Sequence, residues 1–333
     1  MLLRACWERQ TGEALYGLGQ LAESRVHLER ALQLLGMPLA HRRRTLLRDL
    51  SGQLLRQFAH RLLPLTALNV AADQRSALVE AARAYELLGR LAYYDSHIVA
   101  AFYAAVRGLN SAERAGLAPG LVRAYASTQV ATAPLPLLPL LYGYLAQRES
   151  RRLDSPPAQA WVAQARGLYF AGRAAWEPAA HALYEAYRLS GEYGDHRREA
   201  ESAALLAWIA AQRGDFAQML QLSIELQAGA RRYGDIQAQT WGLLGQAEFH
   251  LLYGHAEQAD RRLAEAERLL TVNFNSARAE EIWTYALIGV SAVRRDDMRM
   301  ARSAATAALA LMGEVRRRLS THLVATRALP RSI

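Results

Sequence analysis

Apolar residues recur every three or four positions along most of the chain, which is the spacing of an amphipathic helix. The clearest case is the segment 41–63, where large apolar residues recur at intervals of four: Leu46, Leu50, Leu54 and Phe58, flanked by Leu47, Leu55 and Leu62. Residues 74–115 carry the same pattern over two helices and close at Gly116. β-Branched Thr and Ile are scarce, and such residues favour strands. The pattern therefore predicts an all-α fold.

Recurring turns divide these helices into units of about forty residues. The tripeptide Tyr-Gly-Asp at residues 193–195 recurs at residues 233–235, between helices of successive units. A second turn, inside each unit, recurs at residues 172–173, 214–215, 254–255 and 296–297. Glycine suits the left-handed end of a helix, and aspartate suits the start of the next one. We therefore predict a right-handed α-solenoid of stacked helix pairs.

The N-terminal residues 17–22 contain the spelling G-x-G-x-x-A, which also occurs in dinucleotide-binding turns. That function needs a strand before the glycines and an acidic residue at the end of a second strand. The residues before Gly17 have helical spacing instead, and Gly19 occupies the place of the later turn glycines. We interpret the stretch as a turn between two helices, with Gly12 at their crossing.

The units resemble the tetratricopeptide repeat, most clearly over residues 157–312. Trp161, Phe216 and the small residues Ala165, Ala207, Ala247 and Gly289 fall on packing positions of that repeat. Small residues also recur on the second helices, at Ala259, Leu263 and Ala266 and again at Ala301, Ala305 and Ala308. The units depart from the repeat in being longer, which implies longer helices.

The resemblance also implies a concave groove lined by the first helix of each unit. Seven side chains fall on its groove positions: Gln159, Arg166, Tyr169, Trp208, Trp241, Glu248 and Trp283. Tryptophans on such a surface would anchor a peptide or a partner helix. The alternative is that the longer helices shift the frame, so that the tryptophans pack between units.

The first 130 residues carry a more specific resemblance, which covers most of the chain. It is carried by LGQLAESRVHLERALQLLGMPL at residues 18–39, LLRQFAHRLLP at 54–64 and AARAYELLGRLAYYDSHIVAAFYAAVRGLNSAERAG at 81–116. These runs resemble the C-terminal repeat region of large bacterial class III adenylate/guanylate cyclases, in which a cyclase domain and an AAA-type ATPase domain precede the repeats. The resemblance implies a non-catalytic interaction or regulatory module whose partner is a protein, a peptide or those attached domains. The alternative is an effector-sensing repeat domain of an ATP-dependent transcription regulator.

Composition narrows the chemistry further. All forty basic residues are arginine, so a nucleotide-binding loop with its lysine is excluded. The net charge is +9, but the arginine pairs are spread along the chain, several near predicted helix ends, so we do not expect nucleic-acid binding. His250 and His255 lack further metal ligands nearby. We expect no catalytic residue, metal or cofactor.

One cysteine, Cys6, and the lack of a long apolar segment favour a cytoplasmic protein without membrane contact. We divide the chain into an irregular helical half (1–150), regular repeats (151–315) and a basic tail or capping-helix end (316–333). The polar stretch 148–157, which ends in Ser-Pro-Pro, is the predicted hinge between the halves.

Overall fold

The computed structural model describes residues 1–40, 43–62, 70–95, 97–272 and 278–322. Over this part the chain contains fifteen α-helices and no strand, which confirms the all-α prediction. No helix in these ranges is long and apolar enough to cross a membrane. The helices are α1 (Leu2–Gly17), α2 (Leu21–Leu34), α3 (Arg43–Leu62), α4 (Ala72–Tyr94), α5 (Ile98–Ala115), α6 (Ala118–Ala131), α7 (Leu138–Leu153), α8 (Pro156–Ala171), α9 (Trp176–Glu192), α10 (His196–Gln212), α11 (Phe216–Tyr233), α12 (Ile236–Leu252), α13 (Ala256–Val272), α14 (Arg278–Arg294) and α15 (Met298–His322).

Most helices pack with their neighbour in sequence. The closest pairs are α1 with α2, α4 with α5, α6 with α7, α8 with α9, α11 with α12 and α14 with α15. Helix α3 is the exception, because α2 packs directly on α4 while α3 lies against α5. Helix α3 is thus an additional helix that packs on the outside of the α4–α5 pair.

The predicted turns are confirmed where the forty-residue period placed them. Gly194 and Gly234 adopt positive φ angles of 71° and 75°, a conformation that costs glycine little. Asp195 and Asp235 then accept backbone N–H groups of the next helix at 3.2 and 3.0 Å. The N-terminal spelling G-x-G-x-x-A is likewise a turn between helices, since α1 ends at Gly17 and α2 begins at Leu21.

Small residues allow close helix crossings, as predicted at Gly12. A Cβ atom there would lie only 2.8 Å from Cγ of Leu28 on α2.

The predicted small face of α13 is buried, but the prediction for α15 is wrong at Ala305. That residue is exposed and Ala304 is buried instead, because α15 turns residues 301, 304 and 308 inward.

The helix predicted over residues 41–63 is confirmed as α3, but most of its apolar face points outward. Leu46 is buried, whereas Leu55 and Phe58 are 71% and 64% exposed. The residues buried against α5 include Gln53 and Gln57. Periodicity located this helix but did not show which of its faces packs.

The chain returns on itself, so that the turn between α1 and α2 contacts the turn that precedes α12. The backbone oxygen of Leu18, between α1 and α2, accepts the N–H of Ile236 at 3.3 Å. Beside it, a Cβ on Gly19 would lie 2.8 Å from the backbone nitrogen of Gln237.

Of the predicted divisions, position 150 falls inside α7 and position 315 inside α15, and residues 323–333 lie outside the described ranges.

Candidate functional site

Where the chain returns on itself, polar and aromatic side chains from six helices and one N-cap meet. Helices α1 and α4 contribute from the N-terminal side, and the starts of α8, α10, α12 and α14 contribute from the C-terminal side. We call this group the central polar cluster: Tyr16, Arg90, Tyr94, Trp161, Gln164, Arg197, Arg198, Glu201, Asp235, Gln237, Trp241 and Glu280. Its members lie far apart in sequence, and the cluster joins α1 and α4 to α8, α10, α12 and α14.

Glu201 is the hub of the cluster. One carboxylate oxygen accepts hydrogen bonds from the hydroxyls of Tyr16 and Tyr94, at 2.6 and 3.1 Å. The other accepts from the Arg90 guanidinium at 2.9 Å and from Gln164 at 3.2 Å. Tyr16, Tyr94 and Arg90 belong to the N-terminal helices α1 and α4, so this single carboxylate holds those helices on α8 and α10.

Burial would by itself raise the pKa of the Glu201 carboxyl. The two guanidinium groups of Arg90 and Arg197 outweigh burial and lower that pKa to about 2. Glu201 is therefore ionised at neutral pH, and its charge is matched by arginines rather than by water.

Arg197 connects Glu201 to Asp235, the N-cap residue of α12. Its guanidinium donates to both carboxylate oxygens of Asp235, at 2.7 and 3.0 Å, and to Glu201 at 3.2 Å. It also lies over the rings of Tyr16 and Trp241, 4.8 and 5.0 Å from their centroids. A planar guanidinium can make such in-plane and stacked contacts together, which an ammonium cannot.

Trp161 is enclosed by arginines from three other helices. Guanidinium carbons of Arg198, Arg90 and Arg123 lie 3.5, 4.6 and 4.6 Å from its ring centroid. Burial, together with repulsion from Arg90, lowers the pKa of Arg198 to about 10. The repeat position of Trp161 indicates only a packing residue, so this role could not be read from it. No local signal could have shown it, because the arginines come from α4, α6 and α10.

Arg197 and Arg198 lie at the N-terminal end of their helix, unlike the arginine pairs at 151–152 and 231–232. They occupy the first turn of α10, the end at which a positive charge is disfavoured. Asp195, the N-cap of α10, accepts from the side chain of Arg198 at 3.0 Å and offsets this effect. The pairs at 151–152 and 231–232 do lie in the last turns of α7 and α11, as expected.

Glu280 is the one carboxylate of the cluster with an oxygen that lacks a described partner. Its Oε1 accepts from the Trp241 indole at 2.6 Å and from Gln237 at 2.9 Å, but its buried Oε2 accepts from no described group. Burial raises the pKa of this carboxyl despite these hydrogen bonds. The cluster thus contains one strongly ionised carboxylate, Glu201, and one whose ionised form is disfavoured.

The structure places the predicted groove residues in different environments. Trp241 lies in the central polar cluster. Trp208 is 43% exposed and meets Trp176 of α9 edge to face, with ring centroids 5.4 Å apart. Tyr169 is buried under Arg173.

The other predicted groove residues are all partly exposed. Gln159 and Arg166 lie on α8, and Arg166 pairs with Glu185 of α9 at 3.2 Å. Glu248 faces Trp283, and burial raises the pKa of Glu248 although Trp283 donates a hydrogen bond to it. The seven residues thus differ in burial and in their described partners, and a shared groove stays a prediction.

A scan against protein-family models finds no match for the chain, and a search of curated proteins finds none either. Within the described ranges, no group of three or more His, Cys, Asp or Glu residues is arranged to hold a metal ion. What the cluster itself can do is hold the N-terminal helices on the C-terminal ones through ionic and aromatic contacts.

Proposed function

We propose that this chain is a non-catalytic α-solenoid that binds protein segments and regulates what is attached to it. Its helix pairs stack as in tetratricopeptide-like arrays, and the first helix of each pair faces the concave side. The resemblance to the repeat region of cyclase–ATPase signalling proteins supports a place beside such domains in the cytoplasm.

The central polar cluster is the observation that carries this proposal. Helices α8, α10, α12 and α14 present there a surface that accepts tyrosine and arginine side chains from another part of the chain. Tyr16, Arg90 and Tyr94 occupy that surface as side chains of a bound partner would. The same surface that closes the fold is thus suited to recognise an aromatic and basic segment of a partner.

Regulation follows from the same contacts. The Tyr16 hydroxyl and the Arg90 guanidinium hold the N-terminal helices on Glu201, so a partner that competes for Glu201 releases them. Helices α1 and α4 belong to the N-terminal helix pairs. A domain attached on that side would therefore be affected when these helices are released. Binding and the position of the N-terminal helices are then linked by their competition for one surface.

The effector-sensing alternative is favoured by one specific observation, the unpartnered oxygen of Glu280. A small cationic or hydroxyl-bearing effector would satisfy that oxygen. The segment-binding function has broader support, because three N-terminal side chains already occupy the surface.

Selection of displayed random peptides on the full-length chain tests the proposal. We expect enriched peptides to be rich in arginine and tyrosine and to bind the Tyr94→Ala variant more tightly, because that variant vacates part of the surface. Trp208 lies two turns after Glu201 on α10, so a segment bound at Glu201 and extending along α10 would reach it. Trp208→Ala should therefore weaken binding by about tenfold or more, the effect of an anchoring tryptophan. Tyr184→Ala is the matched control, since Tyr184 is an exposed aromatic residue on α9, a second helix of its pair.

The proposal fails if no peptide is enriched on either form of the chain. It also fails if the enriched peptides bind the Tyr94→Ala and Trp208→Ala variants as tightly as the wild type. Far-ultraviolet circular dichroism of each variant establishes that helicity is retained.

A further inference from the structure

Helix α3 is fixed with its polar side inward by hydrogen bonds to α5. The amide of Gln57 donates to the Asn110 side chain at 2.6 Å, and Asn110 donates to Gln53 at 2.7 Å. One turn earlier in α3, Asp49 pairs with Arg107 of α5 at 2.8 Å. Buried polar groups that are satisfied in this way specify one orientation of the helix.

As a consequence, α3 exposes an apolar stripe. Four large side chains form this α3 stripe: Leu47, Leu54, Leu55 and Phe58. Each is between 42% and 71% exposed. Since α3 lies outside the helix pairs, the stripe stands on the outer surface of the protein.

Unpaired positive charge accompanies the stripe. Arg44, Arg48 and Arg56 are exposed side chains of α3, and none forms an ion pair with a described residue. The acidic residue of α3, Asp49, is already paired with Arg107. A second copy of this helix would bring like charges together, so the charge pattern favours an acidic surface as the counterpart.

We propose that the α3 stripe forms a peripheral binding surface for an anionic lipid bilayer. Leucine and phenylalanine on one side of a helix, with arginines elsewhere on its exposed surface, are features of helices that lie in a membrane interface. The sequence-based expectation of no membrane contact rested on the lack of a spanning segment, which does not bear on binding at the surface.

Co-sedimentation of the full chain with lipid vesicles tests the proposal. We expect binding to vesicles of phosphatidylcholine with phosphatidylglycerol and little binding to phosphatidylcholine alone. The variant Leu54→Glu/Phe58→Glu should lower the partition coefficient by more than about tenfold, because it removes two inserting side chains. Replacing Arg44, Arg48 and Arg56 with glutamine should lower it by about fivefold per charge, and added salt should weaken wild-type binding.

Val26→Glu is the matched control, because Val26 is 63% exposed on α2, away from the stripe. It should bind vesicles as the wild type does. All substituted residues are exposed, so circular dichroism should show unchanged helicity. The proposal is overturned if wild type does not sediment with anionic vesicles, or if it binds neutral vesicles equally. Unaltered binding by the α3 variant also overturns it, as does sedimentation-velocity evidence that the stripe instead joins two copies of the chain.

Discussion

The substitution Glu201→Gln tests whether the central polar cluster holds the N-terminal helices α1 and α4 on the later helices α8, α10, α12 and α14. It keeps the shape of the side chain but removes the negative charge that Arg90 and Arg197 share. Arg197 keeps Asp235 as a partner, whereas Arg90 loses the carboxylate that it contacts at 2.9 Å. The tyrosine hydroxyls also lose a charged acceptor, and hydrogen bonds to charged groups are the stronger ones.

Two lines of reasoning give similar magnitudes for the loss. The pKa of Glu201 falls from 4.5 to about 2 in the folded protein, which corresponds to about 3 kcal/mol of stabilisation by its ionised form. Removing one partner of a buried ion pair typically costs about 3–5 kcal/mol. We therefore expect Glu201→Gln to destabilise the closed arrangement by about 3 kcal/mol.

The pH dependence has a definite sign. The folded pKa is depressed below the unfolded value of 4.5, so this stabilisation is fully present above that value and is lost as the pH falls towards about 2. The difference in stability between wild type and Glu201→Gln should therefore shrink over this acidic range. At neutral pH it should be constant.

Hydrogen exchange measured by mass spectrometry is the assay of choice, because helical-repeat proteins open in parts rather than all at once. Amides of α1 and α4 should exchange more than about a hundredfold faster in Glu201→Gln, if opening costs about 3 kcal/mol less. Glu192→Gln is the control, since Glu192 forms an exposed pair with Arg188 and such pairs contribute less than about 1 kcal/mol. Exchange in α1 and α4 that matches the control would refute the role assigned to Glu201.

Three further substitutions probe the same region. Glu280→Gln should change the free energy of unfolding by less than about 1 kcal/mol at neutral pH, because burial already disfavours its charge; a loss as large as that of Glu201→Gln in urea unfolding would contradict this. Gly19→Ala should cost more than the roughly 1–2 kcal/mol of a left-handed alanine, since its Cβ would also meet the Gln237 backbone. Gly214→Ala, at a similar φ of 76° but with open space, isolates the strain, and equal losses would exclude the clash. Arg198→Lys should lower the melting temperature and change the fluorescence of Trp161, because an ammonium cannot stack on the ring as a guanidinium does; unchanged values would argue against stacking.

The turns could be predicted from the sequence because their physics is local. A glycine at positive φ and an aspartate that accepts the first backbone N–H groups need only neighbouring residues. Gly194, Asp195, Gly234 and Asp235 accordingly behave as their recurrence indicates. The same local reasoning identified residues 17–22 as a turn.

The central polar cluster could not be predicted in this way, because its contacts depend on the path of the whole chain. Tyr16 and Glu201 are 185 residues apart and meet only because the first turn returns to the turn before α12. The sequence placed Trp241 on the predicted groove side of α12, with packing between units as the alternative. Nothing near it in sequence shows that the surface is occupied by α1 and α4.

The helix α3 was predicted, but its orientation could not be, for a different reason. Its period defines an amphipathic helix, and the usual inference is that the apolar side packs inward. Here Asn110 of α5 supplies partners for Gln53 and Gln57, so the polar side can be buried without unsatisfied groups. The orientation is set by a residue on another helix, which helical periodicity does not include.

The chemistry of the closed arrangement also limits which partners can open it. A segment that displaced Tyr16, Arg90 and Tyr94 without replacing the positive charge of Arg90 would leave Glu201 buried and incompletely paired, at a cost of several kcal/mol. An arginine with neighbouring tyrosines would restore both the ion pair and the hydroxyl donors, so its binding would exchange one set of contacts for an equivalent one. The exchange is then nearly balanced, and a small difference in affinity decides whether the N-terminal helices are held or released. An acidic or purely apolar segment would have no such compensation, and the cluster would exclude it.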